Sequence, residues 1–219
     1  MKRLLDIALA GAGLLVSAPA LAALAIAVKI DSQGPAFFVQ RRVGRGRRPI
    51  RVPKLRTMVV EAERRGLDVT AATDVRITRL GALLRRTKID ELPQLWSVLR
   101  GDMSIVGPRP EVERYAALYR PEWLAVFEVQ PGITDPASLT FRDEERLLAR
   151  ANDRELAYVQ VVMPLKLELA LRGVRQQSLF HDIAVIARTA WAVLGPSQGQ
   201  DPVIDEAERR IEELNQGTR

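Results

Sequence analysis

The stretch from Ile7 to Val28, IALAGAGLLVSAPALAALAIAV, carries no charge. A run of that length is enough to enter hydrocarbon as a helix, and it constrains the chain more than any other feature. Three readings compete. Lys2 and Arg3 could open a signal peptide with a cleavage site at Ala20-Leu21-Ala22, but the apolar run continues past it and Asp6 sits badly in such a leader. A one-pass anchor would carry basic residues on both flanks, Lys2 and Arg3 before it and Lys29, Arg41, Arg42, Arg45, Arg47, Arg48, Arg51, Lys54 and Arg56 after it. A straight span cannot keep both flanks on the cytoplasmic side, where positive charge belongs. The third reading uses Ser17-Ala18-Pro19, which breaks the run in the middle. Pro19 removes a helical hydrogen bond and clashes with the preceding turn, and Ser17 is expected to satisfy the freed carbonyl. Each arm then reaches roughly 15 Å, about half of a bilayer core. Residues 1–30 are therefore read as a re-entrant membrane hairpin with both ends in the cytoplasm.

Charge follows the same division. The 219 residues sum to +6, but residues 1–60 alone hold 11 basic side chains against Asp6 and Asp31, a balance of +9, and the remainder sums to −3. Such a patch meets nucleic acid, anionic lipid or a phosphorylated ligand. Aromatic residues make up 5% of the chain, too few for the base-stacking surfaces of nucleic-acid binders, so nucleic acid is not expected as a partner. The hydrophobic content of 47% supports a real core. With no Cys there is no disulfide framework, thiol nucleophile or zinc–cysteine cluster. The one histidine, His181, sits between Phe180 and Asp182 at a helix start and reads as structural.

The rest of the chain reads as α+β, mostly α. Residues 36–43 and 49–55 form a small β-hairpin across Gly44-Arg45-Gly46-Arg47. A short charged helix is expected over 58–66 and a polar link over 67–74. Residues 75–89 place Ile77, Leu80 and Leu84 at helical spacing among Arg76, Arg79, Arg85, Arg86 and Lys88, the pattern of a membrane-surface helix or of a core helix with a solvated face. Helices are expected over 91–100, 111–128 and 180–194. Segment 155–173 alternates at Leu165, Leu167, Leu169 and Leu171, but its length and composition favour helix. A Pro/Gly linker over 195–201 and an acidic tail, read as a solvated, fraying helix, complete the chain. The domain plan is thus a hairpin over 1–30, a cytoplasmic catalytic unit over 31–194 with amphipathic interfacial helices, and a linker with tail over 195–219.

The chemistry concentrates in RRTKIDELPQLWSVLRGDMSIVGPRP, residues 85–110. Asp90 stands where a helix N-cap belongs, Glu91 in the first turn, and Gly101 at the C-cap. Capping alone would explain an Asp there. The same geometry, with Arg85, Arg86 and Lys88 near by, would hold Asp90 ionised and draw phosphate. An ionised carboxylate can attack phosphorus. Successive helical residues point about 100° apart, so Glu91 is free for a hard cation such as Mg²⁺. Gly107-Pro108-Arg109-Pro110 fixes the backbone around a guanidinium suited to bidentate phosphate binding. Lys54, Arg56 and Arg142 are further candidate cations.

The chain resembles the bacterial sugar transferases, the monotopic polyprenyl-phosphate phosphoglycosyl transferases of the small, catalytic-domain-only type. The resemblance rests on KRLLDIALA, the Ser/Pro-broken apolar run, IDSQGPAFFVQRRVGRGRRPIRVPKLRTM, ITRLGALLRRTKIDELPQLWSVLRGDMSIVGPRP and QPGIT, and covers residues 1 to about 194. It implies a re-entrant hairpin in the inner leaflet of the bacterial plasma membrane, with a cytoplasmic catalytic face. It implies transfer of a phospho-sugar from a nucleotide diphosphate sugar, usually a UDP-sugar, to polyprenyl phosphate. By the same resemblance Asp90 is the nucleophile, Glu91 the Mg²⁺ ligand, and Lys54, Arg56, Arg85, Arg109 and Arg142 the basic residues about the phosphates. The sequence departs from the family at Ser97, at Gln130 and over Asp135-Pro136-Ala137-Ser138, which leaves the nucleotide or sugar preference open. Oligomeric state is open too, a homodimer included. The alternatives are a non-catalytic basic membrane-surface protein that binds anionic lipid, and a soluble nucleotide-binding enzyme released by signal cleavage.

Overall fold

The computed structural model describes residues 1–60, 74–194 and 201–217. The apolar run forms a single helix, α1 (Lys2–Asp31), assigned as helical straight through Pro19. Only 6% of its most apolar stretch is buried inside the protein, unlike a core helix, so length and composition suit a membrane segment or a signal sequence. Ser17 does not play its expected part: its hydroxyl oxygen is buried without a hydrogen-bond partner. The reason lies in helix geometry. Pro19 frees the carbonyl four residues back, at Leu15, whereas a serine hydroxyl on a helix reaches back three or four residues, so Ser17 is out of register with that carbonyl.

Strands β1 (Phe37–Val43) and β2 (Pro49–Leu55) pair antiparallel, with Phe37 opposite Leu55 and Val43 opposite Pro49. The connection is a 3₁₀ turn at Arg45–Arg47, in which Gly46 (φ 64°) and Arg47 (φ 60°) are both left-handed. Helix α2 (Arg79–Thr87) starts later than expected. Thr78 caps it by accepting from Gly81 N at 2.9 Å, and Ile77 is drawn into an isolated bridge with Met58. A Cβ on Gly81 would stand 2.1 Å from the Thr57 carbonyl oxygen, so glycine alone lets α2 approach the chain leaving β2 so closely.

Lys88 adopts a left-handed conformation (φ 58°) and stops α2. A 3₁₀ turn, Ile89–Glu91, follows, then α3 (Gln94–Arg100), closed by Gly101 at φ 90°. Asp90 is therefore not the helix cap the sequence predicts. It lies within the turn, Pro93 holds the cap position of α3, and neither start has a side-chain cap.

A second sheet was not foreseen: β3 (Ser104–Val106) pairs in parallel with β4 (Gly132–Thr134). Three-residue runs are too short for a period-2 signal. A Cβ on Gly132 would lie 2.1 Å from Gly107 N, so these two glycines set the spacing of the pair. Between these strands the expected helix over 111–128 is broken into α4 (Glu113–Ala116) and a 3₁₀ segment, Pro121–Phe127. Pro121 forces Arg120 into an extended conformation (ψ 158°) and ends the first piece.

Helices α5 (Pro136–Thr140), α6 (Glu144–Leu148) and α7 (Arg154–Ala157) are short. α7 runs through a π-helical turn at Tyr158–Val162 into α8 (Met163–Arg175), so the ambiguous segment is helical. Helices α9 (Leu179–Leu194) and α10 (Pro202–Gly217) follow. The main core gathers Tyr115, Trp123, Phe127, Leu148, Tyr158 and Val162. α10 adds Ala207 and Ile211 to it, both fully buried, which corrects the expectation of a solvated, fraying tail. Two smaller clusters join α1 to the body: Ala10 with Val52, Val98 and Met103, and Val28 with Leu55 and Leu84. The helix expected over 58–66, the link over 67–74 and the linker over 195–201 fall mostly outside the described residues.

Candidate active site

The turn Ile89–Glu91 carries both acids into the body, where Asp90 and Glu91 are buried. Glu91 is gripped from two sides. Arg109 forms a two-pronged pair, Nη1 to Oε2 at 2.9 Å and Nη2 to Oε1, and Lys54 Nζ donates to Oε1 at 3.2 Å. Burial pushes the Glu91 carboxyl up, but Arg109 and then Lys54 outweigh it and hold it well below the usual carboxylate range. The Lys54 ammonium is pulled down to about 8, chiefly by burial, with Glu91 opposing and Arg109 adding to the fall. Arg109 moves up, because Glu91 favours its charged form more than burial opposes it.

Asp90 is treated differently. Its Oδ1 is buried and has no hydrogen-bond partner. Burial, and secondly the Glu91 charge, raise its carboxyl to about 6, against the pull of Lys54, Arg85 and Lys88. Two adjacent carboxylates thus have opposite environments: one locked in a cation frame, the other desolvated with a bare oxygen. That pairing is the pattern of a site in which two acids perform two tasks.

The remaining candidates separate. Arg85 lies near enough to act on Asp90 through its field, and its guanidinium pairs with Glu145 at 3.0 Å. Arg56 is not brought into the site. It is buried and donates to the Pro35 carbonyl at 2.6 Å, Ser32 Oγ at 2.8 Å, the Ser32 carbonyl at 2.8 Å and the Val28 carbonyl at 3.4 Å. Arg142 lines a broad groove of about 1250 Å³ with Arg86, Arg146 and Arg188, and shows no ion pair with Asp90 or Glu91 among the described residues. His181 turns its Nε2 inward, buried and unpartnered, beside Asp135 and Asp182.

Sequence reasoning missed the brace behind Arg109. Glu111 accepts from Arg42 Nη1 at 3.1 Å through Oε1 and from the Tyr158 hydroxyl through Oε2, and its carbonyl accepts from Val43 N at 2.8 Å. Burial and the Glu111 charge raise the Tyr158 phenol well above its ordinary value, so it stays a donor. The sequence signal was there, since Glu111 directly follows the proline that stiffens the turn. Asp135, noted as a departure, caps α5 by accepting from Ser138 N at 2.8 Å. With Arg109, Glu111, Tyr158 and Lys166 it lines a cavity of about 50 Å³ behind the site.

Among the described residues no group of three or more His, Asp or Glu side chains is placed to hold a metal. Mg²⁺ does not need one, because it commonly takes one or two carboxylates and completes its shell with phosphate oxygens and water. On Glu91, three of roughly four lone-pair positions of the carboxylate are used by Arg109 and Lys54, which leaves one for a cation.

Fold and site together describe a helical body with an acid pair in a cation frame, tied to a long apolar helix. The chain belongs to the bacterial sugar transferase family, whose profile matches residues 1–196. It is 37% identical over 198 residues to the UDP-glucose:undecaprenyl-phosphate glucose-1-phosphate transferase of Caulobacter vibrioides, covering 88% of this chain and 69% of that protein. It is 32% identical over 197 residues to the UDP-N-acetylgalactosamine-undecaprenyl-phosphate N-acetylgalactosaminephosphotransferase of Aeromonas hydrophila, covering 89% of this chain and 44% of that protein. Identity is 36% over 195 residues to the UDP-glucose:undecaprenyl-phosphate glucose-1-phosphate transferase of Escherichia coli K12, covering 87% and 39%. The chain thus spans less than half the length of two of these relatives.

Proposed function

We propose that this chain is a phosphoglycosyl transferase that moves a sugar-1-phosphate from a UDP-sugar to polyprenyl phosphate, releasing UMP, at the start of glycoconjugate synthesis. The observation that carries this reading is the buried, unpartnered Oδ1 of Asp90 beside a Glu91 already held by Arg109 and Lys54. A carboxylate kept bare in a cationic setting is a nucleophile rather than a brace. In the first step an Asp90 oxygen bonds to the sugar-bearing phosphorus, the bond from that phosphorus to the bridging oxygen breaks, and UMP departs with the bridging oxygen. In the second step an oxygen of polyprenyl phosphate bonds to the same phosphorus, and Asp90 leaves as carboxylate. Lys54 and Arg109 offset charge that grows on the phosphate oxygens. Glu91 is the residue to hold Mg²⁺, which when bound supplies further neutralisation of the diphosphate.

The same proposal places the body at the cytoplasmic face of the membrane, with α1 entering the inner leaflet and returning at Pro19. What supports re-entry is that both ends of α1 are tied to one body, Lys2, Arg3 and Asp6 at the start and Val28 and Ser32 at the end. Exposed Trp96, Phe180 and Trp191 suit an interfacial seat. The test is a panel of UDP-sugars with and without polyprenyl phosphate in nanodiscs. A sugar-phosphate adduct on Asp90, with UMP released before any acceptor is added, is expected. UMP release that survives intact in Asp90→Asn overturns the mechanism. Because the chain has no Cys, single cysteines near both ends of α1 report topology, and labelling from opposite sides overturns re-entry.

A further inference from the structure

The two cations that grip Glu91 are each carried by a segment fastened to an end of α1. At the start of α1, Lys2, Arg3 and Asp6 all reach into the body. The buried Asp6 carboxylate accepts from Ser104 Oγ at 3.0 and 2.9 Å and from Ile105 N at 2.9 Å. Lys2 Nζ donates to the Val106 carbonyl at 2.9 Å and to Asp182 Oδ2 at 2.6 Å. Lys2 and Asp6, at the start of α1, therefore hold all three residues of β3. β3 runs through Gly107-Pro108 into Arg109, and the flanking prolines leave that turn little freedom to absorb a shift. Arg3 adds donations to the Val98 and Leu99 carbonyls at 2.6 and 2.9 Å, at the end of the helix that follows the acid pair.

At the other end, Arg56 spends its guanidinium on the exit of α1, with Val28, Ser32 and Pro35 as its acceptors. Lys54 lies two residues before it on an extended chain, and Leu55 between them is buried against Val28. Apart from these polar ties and the two small apolar clusters about Ala10 and Val28, α1 is largely unburied. Its broadest packing is on α3, through Ala10 against Val98, while the polar ties at its two ends fall on β3 and on the chain that leaves β2, the segments that deliver Arg109 and Lys54.

We propose that α1 is a positioning element of the active site, with Asp6 and Lys2 setting Arg109 through β3 and Arg56 setting Lys54 through β2. This rests on the reading that Glu91 and its two cations form the reaction centre. It assigns the buried Asp6 and Arg56 a role in the reaction without contact to substrate, and it makes turnover depend on how α1 is seated in the membrane.

The test uses the full chain in nanodiscs, with active molecules counted by the adduct formed on Asp90. Turnover per active molecule should fall roughly tenfold to a hundredfold in Asp6→Asn and in Arg56→Gln, the scale set by sub-ångström misplacement of reacting groups. Arg56→Lys should restore part of it, and Lys29→Gln, an exposed position in the last turn of α1, should leave it unchanged. A fall only in melting temperature or in the number of active molecules, with turnover per active molecule unchanged, overturns the proposal. Hydrogen exchange is read on the same samples. Faster exchange over residues 104–109 in Asp6→Asn and Lys2→Met is expected, and unchanged exchange there overturns the tie through β3. A wild-type chain that forms no adduct with any UDP-sugar overturns the functional reading instead, and the exchange result still decides the tie.

Discussion

Asp90 is held in a state that folding alone would not favour. Its carboxyl is raised from an ordinary 3.8 to about 6, so in the folded chain the charged form is destabilised relative to the unfolded chain. That penalty is fully present above pH 6 and disappears below pH 4, so this group by itself makes the protein more stable as pH falls through that window. Asp90→Asn should therefore stabilise the protein at neutral pH by about 2 kcal/mol while abolishing adduct formation, a combination that chemical denaturation and mass measurement read together. On the proposed mechanism, the same shifts should set the pH profile of UMP release. Asp90 must be ionised, so rate falls as pH drops through about 6, and Lys54 must be charged, so rate falls again as pH rises through about 8. A profile flat between pH 5 and 9 would contradict both assignments. Arg109→Lys keeps the charge but loses the two-pronged grip on Glu91. It should lower turnover more than it raises the KM for the donor, as steady-state kinetics would read.

At the scale of elements, the decisive piece is the three-residue turn between α2 and α3, which delivers the acids buried rather than at a helix cap. It exists because Lys88 turns left-handed and because Gly81 lets α2 press onto Thr57. Gly81→Ala should destabilise by about 3 kcal/mol, since the clash is with backbone that cannot move aside. Gly11→Ala, where nothing lies within 4 Å of the new Cβ, should change stability by less than about 1 kcal/mol. Melting of the two variants side by side checks the contrast. The long periodic helices and the β-hairpin were legible in the sequence, because each carries its own local signal over many residues. β3 and β4 were not, because a parallel pair of three residues each is specified by a contact between Gly107 and Gly132 that no local pattern records. Pro121 did mark where the predicted helix over 111–128 breaks, but hydrophobic spacing on either side masked it.

Across the whole molecule, the tail is part of the body. Ile211 and Ala207 of α10 pack into the main core, and Asn215 bonds to the backbone of Arg150 and Asn152 at 3.0 and 2.9 Å. Ile211→Ala should cost about 2–5 kcal/mol, read as a lowered melting temperature. A change no larger than that of an exposed substitution on α10 would mean the tail does not fold with the rest. The family match ends at residue 196, so this helix is an addition to what the family profile describes.

The sequence by itself determined the apolar helix, the lopsided charge, the identity of the acid pair and the stiff turn that presents Arg109, because hydrophobic periodicity, proline chemistry and charge are properties of neighbouring residues. It also carried the resemblance that the family match bears out. Only the tertiary structure decided which cations reach Glu91. Lys54 and Arg56 looked alike in sequence, two basic residues apart by one leucine, yet one grips Glu91 and the other is consumed in fastening α1. The difference is made by burial and by partners far away in the chain: a guanidinium finds its acceptors where the fold leaves carbonyls unpaired, and a carboxylate is ionised or strained according to what is packed around it.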